Sequence, residues 1–134
     1  MKLNRRLFLA GAAGASLAGS LLPSPRPVAA AAGDRRLKIA ALTPVYHKYS
    51  HSQHIVDRFL EGYGWDGRHH RPEMDVVSLY VEQVGDDDLS RDRATRHPEM
   101  KIYPTIAEAL TLGGEKLAVD GVLLIGEHGR FPTN

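Results

Sequence analysis

Four apolar stretches, separated by amphipathic or polar ones, set the pattern of this chain. Leu37 to Thr43 is an almost unbroken apolar run that stops at Pro44, which predicts a buried strand. Met74 to Val81 and Lys101 to Tyr103 predict a second and a third strand, and Val119 to Gly126 predicts a fourth, strongly apolar one. Apolar runs of this kind are typical of strands buried on both faces of a parallel sheet.

The stretches between these strands predict three helices. Ser50 and Gln53 fit a capping box at the start of the first helix, and Thr105 and Glu108 fit another at the start of the third. Leu89 to His97 predicts the short helix between them. In the first helix the expected apolar face consists of Ile55, Val56, Phe59, Leu60 and Tyr63. The residues expected to point away from that face are Asp57, Arg58 and Glu61.

The order of these elements, β-α-β-α-β-α-β, predicts an α/β fold. Strands that alternate with helices pair in parallel, and right-handed crossovers then give a partial doubly wound, Rossmann-like sheet of about four strands. The polar stretch from Trp65 to Pro72 is predicted to be a loop between the first helix and the second strand.

The beginning of the chain has a different character. Basic residues within 1–6 precede an uncharged apolar run from Leu7 to Leu22, and the small residues before Gly33 suit a signal peptidase. The run is short for a spanning helix and is interrupted by glycines, so no stable membrane anchor is expected after cleavage. Residues 1–32 are therefore predicted to be a signal peptide, and residues 33–134 the exported α/β segment.

The segment Asn4-Arg5-Arg6-Leu7-Phe8-Leu9 resembles the twin-arginine (Tat) export motif. This resemblance implies a bacterial protein that the Tat translocase exports, already folded, to the periplasm or the medium. The alternative is an ordinary secretory signal that contains two arginines.

Removal of the signal changes how the charge of the chain is interpreted. The whole sequence has 17 basic and 16 acidic residues, but four of the basic residues and none of the acids lie in residues 1–32. The remainder has 13 basic and 16 acidic residues, a net charge of −3, so nucleic acid is not an expected partner. Because the chain has no cysteine, its stability must come from the core, a metal, a ligand or a partner.

Topology places the candidate site at one edge of the predicted sheet, because ligands of doubly wound folds bind outside the carboxyl ends of the strands. The residues expected there to bind a cofactor or small ligand are Thr43, Pro44, His47, Ser50, His51, Glu82, Gln83 and Gly126. Glu127 and His128, a titratable pair between two glycines, are the candidate catalytic groups.

The histidines do not predict a metal site. His51 and His54 diverge on the first helix, and His69 and His70 are expected in a solvated loop at the opposite end of the sheet. The start of the first helix instead presents free N–H groups and a positive dipole end, where an anion could bind with help from Lys48.

The run Ile102-Tyr103-Pro104-Thr105-Ile106-Ala107-Glu108-Ala109-Leu110, followed by Val119-Asp120-Gly121-Val122-Leu123-Leu124, resembles the nucleotide-binding half of the Gfo/Idh/MocA (glucose–fructose oxidoreductase / inositol dehydrogenase) family. The resemblance covers Lys38 to His128. It implies a Rossmann-like fold, an NAD(P) cofactor and, in a longer protein, oxidoreductase activity.

The first turn departs from that family. Where the family has a Gly-x-Gly-x-x-Gly turn for the pyrophosphate, this chain reads Thr43-Pro44-Val45-Tyr46-His47-Lys48-Tyr49-Ser50, without glycine. The cofactor therefore stays unassigned, and NAD(P) is the one that the resemblance implies. The family's catalytic lysine and histidine lie in later segments, so catalysis by this chain alone is not expected.

The chain stops soon after its most apolar strand. We therefore expect either the first part of a longer protein or a truncated reading frame, and the alternative is a small domain whose last strand is covered by a partner. The functional alternatives to an oxidoreductase half are a non-catalytic periplasmic module that binds a small ligand or a partner, and an inactive fragment.

Overall fold

The computed structural model describes residues 35–132, and the predicted signal peptide lies outside this range. In chain order the described elements are β1 (Leu37–Thr43), α1 (His51–Leu60), β2 (Tyr63–Trp65), β3 (Arg68–His70), β4 (Met74–Val81), α2 (Ser90–Arg96), β5 (Lys101–Ile102), α3 (Ile106–Thr111) and β6 (Gly121–Leu124). Among the described helices, none has the length and apolar character needed to cross a membrane.

β1 is an inner strand of a four-stranded parallel sheet of order β5-β4-β1-β6. It pairs with β4 on one side and with β6 on the other, from Ile39 opposite Gly121 to Leu42 opposite Leu124. Counted by themselves in chain order, the four strands have the 3-2-1-4 arrangement of one half of a Rossmann fold. The predicted partial Rossmann-like α/β sheet is therefore confirmed.

The two faces of this sheet are covered unequally. On one face, Val56 and Leu60 of α1 join a buried cluster with Ile39, Leu79 and Val81. On the other face lies the short helix α3, which is fixed to the sheet by a hydrogen bond of 2.7 Å from the Ser78 hydroxyl to the Ala109 carbonyl oxygen.

Beyond α3, the second face is open at β6. Val122 and Leu124 are both exposed, and 81% of Leu124 is accessible. The expectation that the sheet is covered on both faces holds for β1 and β4 but not for β6, because α3 has only six residues and does not extend over that strand.

The predicted polar loop between α1 and β4 contains a β-hairpin. β2 and β3 pair antiparallel around Asp66 and Gly67, whose φ angles of 49° and 68° are typical of a two-residue type I′ turn. Tyr63 therefore belongs to β2 and not to the apolar face of α1. The prediction for Ile55 is also wrong, because this side chain is exposed on α1.

His69 and His70 lie in β3 and hold the hairpin in place. The His69 ring nitrogen Nε2 is 2.9 Å from the Glu61 carbonyl oxygen at the end of α1. The His70 ring stacks on Tyr63 with 5.7 Å between centroids. Both histidines are exposed, as predicted, but they belong to a strand and not to a loop.

Asp57 joins three segments, although the helical pattern predicted that it points away from the core. It accepts a hydrogen bond of 2.5 Å from the Tyr46 hydroxyl, in the loop after β1. Arg93 of α2, which is only 8% exposed, donates to both Asp57 oxygens from Nε and Nη2 at 2.8 and 2.7 Å. This network fixes the loop after β1 and α2 to α1.

The charge of Asp57 is stabilised by these contacts. Desolvation raises the pKa of Asp57, but the hydrogen bonds from Arg93 and Tyr46 outweigh it and hold this pKa below its ordinary value. Burial and the hydrogen bond to Asp57 raise the pKa of the Tyr46 hydroxyl. Asp57 is therefore ionised, and Tyr46 protonated, at neutral pH.

Asp120, just before β6, also joins separate segments of the chain through its carboxylate. Its carboxylate accepts two hydrogen bonds from the Arg35 guanidinium, at 2.8 and 3.0 Å, and one from the Lys38 backbone N–H at 2.8 Å. The Asp120 N–H donates in return to the Lys38 carbonyl oxygen at 2.7 Å. The first described residue is thus joined to the residue that precedes β6.

Asp57→Asn is expected to lower the free energy of unfolding by about 2–3 kcal/mol, because buried Arg93 loses the carboxylate that it binds through two nitrogens and keeps only the exposed Asp92 as an anionic partner. Since the folded pKa of Asp57 lies below the unfolded value, its stabilising effect is complete above about pH 4 and is lost as the pH falls through the folded pKa. The difference between wild type and variant should therefore shrink in acid. Urea unfolding at several pH values measures it.

Asp75→Asn is the matched control, because Asp75 pairs with Arg36 at 2.8 Å on the exposed surface. Its effect should stay below about 1 kcal/mol. Equal losses for the two variants would contradict the role given to Asp57.

Gly62→Ala is expected to destabilise the protein by about 2 kcal/mol, because Gly62 has φ of 85° and an added Cβ would lie 2.5 Å from the His70 carbonyl oxygen. Gly64→Ala should have little effect, since nothing lies within 4 Å of its Cβ position. Thermal unfolding compares the two, and an equal shift in both would show that the hairpin does not pack against the end of α1.

Candidate functional site

The candidate site lies at the carboxyl edge of the sheet. After β1 the chain adds β4 and β5 on one side of β1 and then returns to add β6 on the other side. The position between β1 and β6 is therefore the topological switch point, where doubly wound folds bind ligands. Two depressions open there. The apolar groove, of about 440 Å³, is lined by residues that include Leu42, Pro44, Tyr80, Glu82, Ile106 and Leu124. The polar cleft, of about 590 Å³, is lined by residues that include His47, Gln83, Asp86, Asp88, His128 and Arg130.

The loop after β1 is shaped by two hydroxyl groups. Thr43 and Ser52 both donate to the Val45 carbonyl oxygen, at 3.0 and 2.7 Å, and their hydroxyl oxygens lie 2.5 Å apart. Thr43 is buried, so the hydroxyl predicted to bind a ligand fixes the loop. These hydroxyl contacts fix the path of the chain from β1 to α1.

α1 begins at the predicted cap. The Ser50 hydroxyl accepts a hydrogen bond from the Gln53 N–H at 3.1 Å and donates to the His47 carbonyl oxygen at 2.8 Å. The Gln53 side chain accepts from the N–H of Tyr49, one residue before the cap, at 2.5 Å. Tyr49 has φ of 67°, an uncommon conformation for a bulky residue, and its ring is exposed.

The carboxylate of Glu127 occupies the N-terminus of α1. One oxygen accepts the backbone N–H of His51, and the other lies 3.0 Å from His51 Nδ1 and accepts the His128 N–H at 3.1 Å. The Glu127 side chain is 8% exposed, whereas that of His51 is 66% exposed. The sequence predicted room for an anion here, and the protein supplies that anion itself.

This position keeps Glu127 ionised. Desolvation raises the pKa of Glu127, but the hydrogen bonds from the His51 and His128 N–H groups and from the His51 ring outweigh it, so the pKa lies below its ordinary value. When His51 is neutral, its Nδ1 carries the proton towards Glu127 and its Nε2 is the acceptor. The candidate catalytic acid is thus a helix-capping group.

The polar cleft contains an unusual carboxylate. Asp88 Oδ1 accepts from the N–H of Ser90 at 2.9 Å and from its hydroxyl. Asp88 Oδ2 is buried and has no hydrogen-bond partner in the described part of the chain. A buried oxygen without a hydrogen-bond donor is costly, and no group in the described part of the chain offsets that cost.

Gln83 supports one wall of the polar cleft. Its side-chain oxygen accepts the Arg130 N–H at 2.8 Å, and its amide nitrogen donates to the Arg130 carbonyl oxygen at 3.4 Å. Gln83 thereby holds the segment after β6 against the end of β4, and its contact with a ligand stays a prediction.

The predicted site residues do meet at one edge of the sheet, but in three groups. The residues on the apolar groove are Thr43, Pro44, Glu82 and Gly126. The residues on the polar cleft are His47, Gln83 and His128. Ser50, His51 and Glu127 form the capped start of α1. Within residues 35–132, no three His, Asp or Glu side chains form a group that could hold a metal ion.

Several lining residues were not predicted from the sequence. Asp88 could have been found, because an aspartate before a predicted helix is a common cap, and Ile106 could have been found, because it follows a strand that ends at this edge. Arg130 carries no local signal, since its place depends on Gln83, which is 47 residues away.

Comparison with protein-family models, with curated proteins and with solved structures found no significant match for this chain. The likeness to the Gfo/Idh/MocA family therefore rests on the sequence motifs quoted above.

Glu127→Ala is expected to lower the free energy of unfolding by about 1–2 kcal/mol, because the first N–H of α1 loses its acceptor and the helix dipole loses a compensating charge. Amide exchange of His51 should become faster. Since the folded pKa of Glu127 is depressed, the loss should be full at neutral pH and should fade as the pH drops through that pKa.

Glu115→Ala removes an exposed carboxylate of the loop before β6 and serves as the control for net charge. It should leave both the unfolding free energy and the His51 exchange rate nearly unchanged. An unchanged His51 amide in Glu127→Ala would disprove the capping contact.

Proposed function

We propose that this protein is a non-catalytic module that binds a small, uncharged or cationic ligand at the carboxyl edge of a Rossmann-like sheet. The class that fits best is nucleoside-like: a flat apolar group in the apolar groove, and hydroxyl groups that reach Glu82 at its rim. The observation that carries this proposal is the capping of α1 by Glu127, which fills the position of a phosphate.

The negative charge of the polar cleft, at the carboxyl ends of the strands, supports the same ligand class. Asp86, Asp87 and Asp88 follow one another along the polar cleft, against a single permanently charged cation, Arg130, among the lining residues. Together with Glu127, they make the crevice unfavourable for a diphosphate. A dinucleotide in the usual pose would place its most negative part against this group of carboxylates.

The lining of the apolar groove is suited to a flat apolar group of the ligand. Ile106, Leu124 and Tyr80 contribute apolar surface, whereas Glu82 contributes a carboxylate at the end of β4. An acid at the end of the second parallel strand is suited to accept hydrogen bonds from vicinal hydroxyls. The resemblance to the nucleotide-binding half of the Gfo/Idh/MocA family also implies that a nucleotide binds in this part of the fold.

We propose that this protein acts after export from the cytoplasm. The basic beginning and the apolar run within residues 1–32, which lie outside the described residues, support an extracytoplasmic site of action after Tat-dependent transport. An exported binding module of this kind would meet its ligand in the periplasm or the medium.

Isothermal titration of the purified protein with adenosine, ADP and NAD(H) tests the proposal. Adenosine is expected to bind at least tenfold more tightly than ADP or either form of the dinucleotide, because Glu127 and the cleft acids repel phosphate. In Glu127→Ala the affinity for ADP should rise about tenfold, which corresponds to about 1.4 kcal/mol, while adenosine binding should stay unchanged. Glu115→Ala is the control for net charge.

Two further variants test the groove. Ile106→Glu should abolish adenosine binding, whereas Ile102→Glu, at a similarly exposed position outside the groove, should not. Circular dichroism checks that both variants are folded. Tighter binding of NAD(H) than of adenosine to wild type, or no heat with millimolar adenosine, would refute the proposal.

A further inference from the structure

The two edge strands of the parallel sheet, β5 and β6, differ in how they are protected from pairing with another chain. β5 has only two residues, begins with Lys101 and is bracketed by Pro98 and Pro104. Short length, lysine and proline are devices that keep an edge strand from pairing with another chain. β6 is also short, with four residues, but it lacks the other two devices, since the stretch from Gly121 to Gly126 contains no charge and no proline.

The backbone of β6 has unused hydrogen-bonding groups. The Ile125 N–H donates to the Leu42 carbonyl oxygen of β1 at 3.0 Å, and residues alternate along a strand, so Gly121 and Leu123 also face β1. Val122 and Leu124 therefore turn their N–H and C=O groups to the outer edge. Within residues 35–132 no strand pairs with this edge.

The side chains of these two residues are apolar and exposed. Val122 and Leu124 are 46% and 81% exposed, and Leu124 lines the apolar groove together with Ile106. An edge that offers both backbone partners and an apolar face is suited to strand addition.

We propose that a second copy of this chain occupies the edge, with β6 paired antiparallel to its own counterpart about a twofold axis through Leu123. The partner's Leu124 then lies opposite Val122, and each such pair exchanges two backbone hydrogen bonds. Because the axis is twofold, the pair occurs twice, and the two sheets become one of eight strands.

Charge favours this occupant and this register. Asp120 lies opposite the partner's Gly126, and Glu127 lies opposite the partner's Val119, so no like charges face each other along the pairing. Asp120 is in addition neutralised within its own chain by Arg35. The exposed apolar side chains of Val122 and Leu124 meet those of the second copy, which removes apolar surface from water on the open face.

The dimer also bears on the ligand site without depending on it. Leu124 lines the apolar groove, so the partner strand would add an outer wall to the groove. The two proposals are measured separately. A protein that binds no ligand could still form the dimer, and a monomeric protein could still bind the proposed ligand.

Sedimentation of the full chain from about 5 to 500 µM, and of two lysine variants, tests the proposal. Wild type is expected to form a reversible dimer. Leu124→Lys should raise the dimer dissociation constant by roughly 100-fold, because a charge is placed on the pairing edge. Leu117→Lys is the matched control: Leu117 is 71% exposed, close to the 81% of Leu124, but lies in the loop before β6. It should leave the constant within about threefold of wild type.

Cysteine cross-linking tests the register, since the chain has no cysteine of its own. A mixture of Val122→Cys and Leu124→Cys should form a disulfide-linked dimer under mild oxidation in higher yield than either variant alone. A wild-type monomer at every concentration, equal weakening by the two lysine variants, polymers larger than a dimer, or equal cross-linking in all three samples would each overturn the proposal.

Discussion

The carboxylate of Asp57 is the contact on which the arrangement of the described structure depends. It binds the Tyr46 hydroxyl from the loop after β1 and the Arg93 guanidinium from α2, and it does so from the middle of α1. Because the chain has no cysteine, the first loop and the two helices on one face of the sheet are joined by this charged network, by the backbone hydrogen bond from Leu89 to Tyr46 and by the apolar core. The grooves at the carboxyl edge take their shape from that loop.

The backbone of this fold was largely predictable from sequence, because its signals are local. β4 begins and ends where its apolar run does, and Ser50 caps α1 as the capping box predicted. The hairpin was missed although its signal, Asp66-Gly67, is also local: the flanking segments have only three residues each and expose all their side chains. A strand without a buried face leaves no periodic pattern to detect.

The candidate site was less predictable, because its decisive contacts join distant residues. Glu127 reaches His51 across 76 residues, and Asp57 reaches Arg93 across 36. A polar residue on a helix is expected to face solvent until its partner is known, which is why Asp57 was placed wrongly. Topology predicted that these residues lie at the carboxyl ends of the strands, but it did not show which of them bind each other.

The internal cap on α1 changes what this edge of the sheet can recognise. In a fold of this type the helix N-terminus is the natural anion site, and an anion that belongs to the protein competes with every anion from solution at an effective concentration that no free ligand reaches. Under the proposed function, recognition at this end of the sheet would therefore depend on shape and on hydrogen-bond donors and not on negative charge.

If residues 1–32 are the signal peptide that the sequence predicts, the contact between Arg35 and Asp120 limits where the precursor can be cut. A protease that cuts before Gly33 leaves Arg35 in place, with two residues to spare, and the sheet keeps its link between the start of β1 and the start of β6. A cut only three residues further along the chain would remove the guanidinium and leave the Asp120 carboxylate with the Lys38 N–H as its remaining donor. In such a precursor, the position of cleavage would decide whether β1 and β6 keep this side-chain link.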